Sequence, residues 1–142
     1  MSTWTQTEAE RAFGKASRER RRARMICRMR RRGCGCCERL RVTDRVARAR
    51  AGARGVHEIP LSQITGTLEP NRAEHFDPAF RPASTARERW QRVWMAEERG
   101  AVLPPIAVVP AGDGYAVRDG HHRVSVALAR GAVTIDAVVN GG

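Results

Sequence analysis

The uneven distribution of charge is the feature that most constrains this 142-residue sequence. Residues 1–55 carry 17 basic and 5 acidic side chains, a net charge of +12, whereas residues 56–142 carry 9 basic and 10 acidic side chains, a net charge of −1. The excess of +11 for the whole chain therefore belongs to the first segment. Such an asymmetry predicts a basic arm at residues 1–55 attached to a near-neutral globular domain at residues 56–142.

Apolar stretches in the sequence are short. None approaches the roughly 20 residues that a membrane helix needs, and the best run, from Ala101 to Ala111, is interrupted by three prolines. The N-terminus has no apolar segment of the kind found in secretory signals. We therefore expect a cytoplasmic protein with no membrane partner.

The basic arm is predicted to be helical from Thr5 to Arg32. Thr5 and Thr7 each precede a glutamate by three residues, the capping-box pattern of a helix start. Gly33 and Gly35 are expected to end the helix. A second short helix is predicted from Thr43 to about Ala51, followed by a linker at Gly52, Arg54 and Gly55. The apolar positions predict only a thin stripe facing the core: Ala9, Phe13, Ala16, Ala23, Ile26 and Met29.

The arginines of the arm predict sequence-independent contact with nucleic-acid phosphates, because such contacts release counterions from DNA. Trp4 and Phe13 are the only rings in the arm, so stacking on bases is not expected. A solvated helix folded onto the domain, a partly disordered arm and another anionic partner are the alternatives. The candidate DNA-binding residues are Arg20, Arg21, Arg22, Arg24, Arg28, Arg30, Arg31 and Arg32.

The four cysteines, Cys27, Cys34, Cys36 and Cys37, lie within 11 residues of one another. Cys34 and Cys37 have the spacing of a zinc-ligand pair, but four ligands in so short a segment leave little chain to surround an ion. A zinc site, a disulfide and simple thiols stay open, and no metal site is predicted.

The remaining sequence predicts a compact α+β domain. Strands are predicted at residues 56–59, 105–109, 115–118 and 134–139, with a hairpin turn from Ala111 to Gly114. A helical turn is expected at residues 61–64 and a long loop from Gly66 to Pro82. One helix is predicted to begin at Ser84 and Thr85, with Glu88 completing a capping box, and to end at Gly100. Trp90 and Trp94 are predicted core residues of that helix, and a last helix is predicted at residues 122–129.

Residues 119–123, Asp-Gly-His-His-Arg, lie between a predicted strand and a helix start. Unpaired backbone N–H groups and the positive end of a helix dipole make such a junction an anion site. Gly120 lets a ligand approach the backbone, and Arg123 offers a planar fork for phosphate oxygens. His121 and His122 are candidate hydrogen-bond donors or acid–base groups, and Asp119 is a candidate helix N-cap or weak magnesium ligand. An ordinary capped helix is the alternative.

Residues 117–127, with Gly131 and Ile135, resemble the phosphate-binding segment of the ParB/sulfiredoxin superfamily, and residues 59–64 and 103–108 resemble other parts of its domain. The resemblance implies a ParB/sulfiredoxin-like fold over residues 56–139, with an N-terminal basic helical extension. It implies a nucleoside triphosphate ligand, CTP or ATP, with Mg²⁺ as a further candidate, and a homodimer. Gly120 and Arg123 match the G-x-x-R turn of chromosome-partitioning ParB proteins, whereas Pro70-Asn71-Arg72 resembles their arginine-containing box only loosely.

Other members of the superfamily imply different chemistry. Sulfiredoxins have a cysteine in the turn where this chain has histidine, so repair of sulfinic acid is not expected. Because the chain ends at Gly142, the operator-reading domain that follows in ParB proteins is not expected either. Free-serine kinases have a similar D-G-H-H-R turn and a glutamate base, for which Glu69 is the first candidate here and Glu58 the second.

These expectations lead to one preferred function and two alternatives. The preferred function is nucleotide-phosphate binding at residues 119–123 combined with DNA association through the arm, in a chromosome-partitioning-like or regulatory role. The first alternative is a small phosphotransferase or NTP hydrolase, in which Glu69 and His122 are the catalytic residues. The second alternative is a phosphate-binding module without catalysis.

Overall fold

The structure, a computed structural model, describes residues 3–30, 38–44 and 55–140. It confirms the predicted α+β class. Single 3-10 turns lie at Leu61–Gln63 and Ser84–Ala86. The helices are α1 (Thr3–Arg30), α2 (Pro70–Ala73), α3 (Arg87–Glu98) and α4 (His121–Ala129). The strands are β1 (Gly55–Pro60), β2 (Ile64–Thr67), β3 (Ile106–Ala111), β4 (Gly114–Asp119) and β5 (Thr134–Val139).

The five strands form one mixed sheet in the order β1-β5-β3-β4-β2. β1 pairs with β5 and β3 pairs with β4 in the antiparallel direction, whereas β5–β3 and β4–β2 are parallel pairs. The predicted hairpin is confirmed, with Gly112 and Asp113 between its strands. All four predicted strands are confirmed, and β4 runs directly into α4, which places the predicted anion site at one end of the sheet.

Helix α2 and the last two residues of strand β2 lie where a loop was predicted, so the loop prediction is wrong for these residues. Ile64, predicted to end a helical turn, begins β2. β2 has only four residues, and its partners are distant in sequence. The edge of β2 that faces away from β4 is hydrogen-bonded to the segment at residues 41–43. Thr67 N–H donates to Arg41 O at 2.9 Å, and Thr43 N–H donates to Thr67 O at 3.0 Å. A Cβ at Gly66 would lie 2.3 Å from Arg41 O, so this pairing requires glycine. Non-local hydrogen bonds of this kind leave no local sequence pattern.

The capping boxes predicted for the first helix are wrong. α1 begins at Thr3, so Thr5 and Thr7 lie inside it rather than at its start. The Thr7 hydroxyl donates to Thr3 O one turn earlier, at 3.0 Å. That bond to the preceding turn is the usual alternative for a threonine within a helix.

The capping box predicted for the second long helix is wrong as well. α3 begins at Arg87, after the 3-10 turn, and no side chain caps it. The Thr85 hydroxyl is instead 2.7 Å from His75 Nδ1. Tertiary contact with the segment before α3 therefore replaces the local cap. The predicted end of this helix is confirmed by Gly100, which has a φ of +76°.

One face of α1 is part of the hydrophobic core. Ala9, Phe13 and Ala16 are buried, and the Phe13 ring meets the ring of buried Trp90 edge-on at 5.5 Å between centroids. The predicted core roles of Trp90 and Trp94 are confirmed. Ile26 and Met29 are exposed, contrary to prediction. A helix of 28 residues spans about 42 Å, more than α3, its main contact, can cover.

Several sequence predictions concern residues outside the described ranges. These are Arg31, Arg32, Gly33, Cys34, Gly35, Cys36, Cys37, Gly52, Arg54 and most of the predicted second helix. Thr43 and Asp44, the described residues of that helix, are not helical, and Gly55 begins β1. In the three described ranges, no helix is long and apolar enough to cross a membrane.

Candidate phosphate-binding site

A cavity of about 270 Å³ opens where β4 ends and α4 begins. Three parts of the fold line it. α2 contributes Arg72, α3 contributes Arg89 and Val93, and the β4–α4 junction contributes residues 119–123. The fold therefore places all five predicted turn residues around one cavity: Asp119, Gly120, His121, His122 and Arg123.

Gly120 forms the start of α4 in a left-handed conformation, with a φ of 108° and a ψ of 23°. A Cβ at this position would lie 2.4 Å from Ile106 Cγ2, so both the backbone angle and the neighbouring strand require glycine. The bond from Val124 N–H to Gly120 O, 3.0 Å, is the first of the helix. The amides of residues 121–123 precede it and have no acceptor within the helix, which makes them available to an anion.

Asp119 does not cap α4, so that part of its predicted role is wrong. The N-cap is Gly120, and no side chain caps the helix. The Asp119 side chain is 81 % exposed, and its Oδ2 lies 3.3 Å from Arg123 Nη2. Because the lining has no other carboxylate, and this one is paired with arginine, the residues present do not fit a protein-held magnesium ion.

The guanidinium of Arg123 forms most of its hydrogen bonds within the protein. Its Nη1 donates to the carbonyls of Pro104 and Pro105, the latter at 3.2 Å, and its side chain is only 16 % exposed. These bonds tie α4 to the segment that leads into β3. Arg123 therefore contributes positive charge to the cavity, while part of its hydrogen-bonding capacity serves the fold.

Arg72 and Arg89 complete the basic lining, and neither was predicted as a site residue. Arg72 belongs to Pro70-Asn71-Arg72, the segment that resembles the arginine-containing box of ParB proteins only loosely. Arg89 lies one turn before Val93, beside the face of α3 that buries Trp90. Its place at the cavity depends on the packing of α3 against α4, which no sequence pattern contains. The two arginines raise the charge of the lining to three cations against one carboxylate.

His121 and His122 are buried, with 3 % and 7 % of their surface exposed. Burial, followed by the charge of Arg72, lowers the pKa of His121 from 6.5 to about 4. Burial, followed by the charges of Arg89 and Arg72, lowers the pKa of His122 to about 3. Both rings are therefore neutral near pH 7 and are weak bases, so the geometry does not favour the predicted acid–base role near neutral pH.

The two rings are held in place by β2 and by the segment after α2. His121 Nε2 lies 2.6 Å from Thr67 Oγ1, which also accepts the Glu69 N–H at 2.9 Å. The Phe76 ring stacks on His121 and meets His122 edge-on, with centroids 6.4 and 5.1 Å apart. These contacts fix the first turn of α4, and with it the amides at the cavity.

The two candidate bases do not line the cavity. Glu69 is exposed at the start of α2, and only its backbone joins the Thr67 network. Glu58 lies on β1, where its carboxylate accepts a hydrogen bond from Thr134 at 2.5 Å. Neither carboxylate is therefore placed beside a ligand in the cavity.

Six of the eight candidate DNA-binding arginines lie in α1. Arg20 is directed towards the protein, because its Nη2 donates to Glu38 O at 3.4 Å and its Nε is buried. Its contact with DNA stays a prediction. Arg28 forms an ion pair with Glu38, and Arg21 donates to Ser17 Oγ at 3.1 Å. Arg22 and Arg30 are exposed and Arg24 is half-buried.

Four exposed cations follow the side of α1 opposite its buried face. At 100° per residue, positions 11, 15, 18 and 22 project from one side of the helix, about 180° from Ala9, Phe13 and Ala16. We call these residues the basic stripe: Arg11, Lys15, Arg18 and Arg22. Three of its members, Arg11, Lys15 and Arg18, were not among the candidates, although the same spacing is visible in the sequence.

Among the described residues, no group of three or more His, Cys, Asp or Glu side chains is placed to hold a metal ion. Cys27 is disulfide-bonded. Of the alternatives for the cysteine cluster, this supports a disulfide at Cys27. Cys34, Cys36 and Cys37 lie outside the described ranges.

No protein-family model matches the chain, and no curated protein matches it. Among solved structures, the chain is similar to the crystal structure of sulfiredoxin from Arabidopsis thaliana. The sequence identity is 21 % and the TM-score 0.46, over 61 % of this chain and 85 % of that one. A similarity at this level assigns no activity, so the functional conclusion depends on the geometry of the cavity.

Proposed function

We propose that the cavity binds the phosphate groups of a nucleotide, CTP or ATP, and that α1 associates with DNA through its basic stripe. The observation that carries the proposal is the placement of Arg72, Arg89 and Arg123 around the amino end of α4, with a single carboxylate among them. The choice of a nucleotide, and of a chromosome-partitioning-like or regulatory role, follows from the resemblance of the turn.

Phosphate binding at this site would use the backbone and the arginines together. The amides of residues 121–123 are directional donors for phosphate oxygens, and the helix dipole favours negative charge at the same point. Arg72 and Arg89 supply charge-assisted hydrogen bonds, each of which contributes roughly 1.5–3 kcal/mol. Neutral His121 and His122 add no charge of their own, so the binding strength comes mainly from the arginines and amides.

Binding without turnover fits the cavity better than phosphoryl transfer. Transfer requires a base beside the acceptor, and Glu69 is not among the residues that line the cavity. His122, the other catalytic candidate, has a pKa of about 3. We therefore expect Glu69→Gln to leave nucleotide affinity unchanged.

Association with DNA would use the exposed side of α1. The four residues of the basic stripe lie within about 16 Å along the helix axis. Arginine and lysine that reach only phosphates bind DNA without regard to sequence. The opposite face of α1 is in the core, so the helix presents its stripe on a rigid support.

Calorimetric titration with CTP, ATP, GTP and UTP, with and without Mg²⁺, tests the nucleotide site. We expect wild type to bind at least one of them, and Arg89→Ala to weaken that binding by about 1.5–3 kcal/mol. Arg92→Ala is the matched control, because Arg92 lies on the same helix but does not line the cavity. Absence of binding by wild type, or an equal loss in both variants, would contradict the proposal.

A further inference from the structure

The cavity is at the small end of the range for ligand sites. Its volume is about 270 Å³, against roughly 300–1,000 Å³ for sites that bury a drug-sized ligand. Phosphate oxygens can occupy the space at the amino end of α4, and a sugar and a base would extend from there towards the opening. The part of the ligand that the site can recognise is therefore its phosphate.

The lining also offers little with which to recognise a base. Among the described residues around the cavity, none is Phe, Tyr, Trp, Asn or Gln, and Val93 is the one aliphatic side chain. Phe76 is fully buried behind the two histidines, so its ring is not available for stacking. Recognition of single bases depends on stacking on aromatic rings or guanidinium planes and on hydrogen bonds to base edges. The rings of His121 and His122 are buried, so the arginines alone could stack on a base, and a bound phosphate would engage them.

The charge of the lining matches a terminal phosphate better than an internal one. Three arginines and one aspartate give the lining a net charge of +2. A phosphomonoester carries roughly −1.5 to −2 charges and three strong acceptor oxygens at neutral pH. An internal phosphodiester has only two non-bridging oxygens and a single charge, so it would leave more of the arginine charge uncompensated.

The first turns of α3 separate the cavity from α1. Arg89 lines the cavity, whereas the adjacent Trp90 contacts Phe13 of α1, and the Arg87 guanidinium lies 5.2 Å from the centre of the Phe13 ring. A helix is about 10 Å across, and successive phosphates of a DNA strand rise about 3.4 Å per nucleotide. The basic stripe is on the side of α1 that faces away from α3, so a strand has to cross both helices, roughly 20 Å, to reach it. About six nucleotides cover that distance.

We infer that the ligand of the cavity is the terminal phosphomonoester of a nucleic-acid strand, whose following phosphates run towards the basic stripe. The inference rests on the proposed phosphate site and narrows its ligand from a nucleotide to a strand end. The two parts of the proposed function then act on one ligand. The cavity binds the terminal phosphate of the strand, and the basic stripe binds its backbone phosphates. Base identity makes no contribution to affinity in this arrangement.

Fluorescence anisotropy with a short single-stranded oligothymidine tests the inference directly. The strand carries either a phosphate or a hydroxyl at its 5′ end, and a third version carries the phosphate at its 3′ end. We expect a phosphorylated end to bind at least about tenfold more tightly than the hydroxyl end, the effect of one or two charge-assisted hydrogen bonds. Arg89→Ala should bring this ratio close to one, whereas the control Arg92→Ala should keep it.

Removal of charge from the basic stripe tests the contact with the backbone of the strand. Arg18→Gln/Arg22→Gln should weaken the phosphorylated and hydroxyl strands by the same factor and leave their ratio unchanged. Arg92→Gln/Arg99→Gln removes the same charge from exposed residues outside both surfaces, and it should weaken either strand less.

Two outcomes would overturn the inference. The first outcome is that wild type binds phosphorylated and hydroxyl ends with equal affinity. The second is that Arg89→Ala still prefers the phosphorylated end. Neither affects the proposed nucleotide site if CTP or ATP binds in calorimetry and this binding is lost in Arg89→Ala. If wild type binds no nucleotide, no inorganic pyrophosphate and no phosphorylated strand, the proposed function and the inference both fail.

Discussion

Gly120→Ala should destabilise the protein more than any other substitution of glycine by alanine at a described position of positive φ. Two effects add at this residue. An alanine held at a left-handed φ costs about 1–2 kcal/mol. Its Cβ would also lie 2.4 Å from Ile106 Cγ2 and 2.8 Å from Ile106 Cβ, and overpacking of a core position costs typically about 1–3 kcal/mol. The expected loss in the free energy of unfolding is therefore about 2–5 kcal/mol, out of the roughly 5–15 kcal/mol of a typical domain.

Gly131→Ala is the matched control for this prediction. Gly131 has a φ of +78° at the end of α4, and nothing lies within 4 Å of the Cβ that alanine would add. This variant should show only the backbone effect, about 1–2 kcal/mol. Urea unfolding followed by tryptophan fluorescence measures both variants, because Trp90 and Trp94 are buried. Equal losses would refute the argument that Ile106 excludes a side chain at residue 120.

Three further predictions concern charge and hydrogen bonding at the site and on α1. The pKa values of His121 and His122, about 4 and 3, lie below the 6.5 of an unfolded chain. At a pH between the folded and unfolded pKa of a histidine, the unfolded state binds more protons than the folded state. The free energy of unfolding should therefore fall as the pH drops below about 6.5. The loss is up to about 1.4 kcal/mol per pH unit for each histidine. His122→Gln should reduce this slope by about half in urea titrations at several pH values, and an unchanged slope would contradict the burial of its neutral ring. Arg123→Ala should weaken phosphate binding and also lower the free energy of unfolding by about 1–3 kcal/mol, because it removes donors to the carbonyls of Pro104 and Pro105. Arg89→Ala should affect binding alone, so similar melting losses in both variants would count against the structural role of Arg123. The affinity of α1 for duplex DNA should fall with salt, and Arg18→Gln/Arg22→Gln should reduce the slope of log affinity against log salt by about 2 in gel-shift titrations. An unchanged slope would place the DNA contact elsewhere.

Much of the fold was predictable because its signals are local. The hairpin between β3 and β4, the strand β5 and the ends of α3 and α4 follow from Gly112, Gly100, Gly131 and the alternation of apolar residues. β2 and α2 escaped prediction because their stability comes from β4 and from residues 40–43, which are remote in sequence. The cap predicted at Thr85 failed for the same reason, since Thr85 has a tertiary partner in His75. The caps at Thr5 and Thr7 failed because α1 begins earlier, at Thr3.

For the candidate site, too, the local features were predictable and the tertiary ones were not. The five turn residues are contiguous in sequence, and their place at a strand–helix junction was predicted correctly. Arg89 was missed because its role depends on the packing of α3 against α4, and the contact of Arg20 with Glu38 was not predicted because the two residues are 18 positions apart. Lowered histidine pKa values could not be predicted either, because the burial beside Phe76 and the charges of Arg72 and Arg89 become visible only in three dimensions.

The central claim, that phosphate binds at the amino end of α4, is tested most directly by the backbone amide shifts of ¹⁵N-labelled protein during titration with inorganic pyrophosphate. Pyrophosphate carries the phosphate chemistry without sugar or base, and the shifts, resolved by residue, distinguish this site from the basic stripe. We expect the largest saturable shifts at the amides of His121, His122 and Arg123, and their loss in Arg72→Ala/Arg89→Ala. Saturable shifts confined to α1, or no saturable shifts at residues 121–123, would contradict the account.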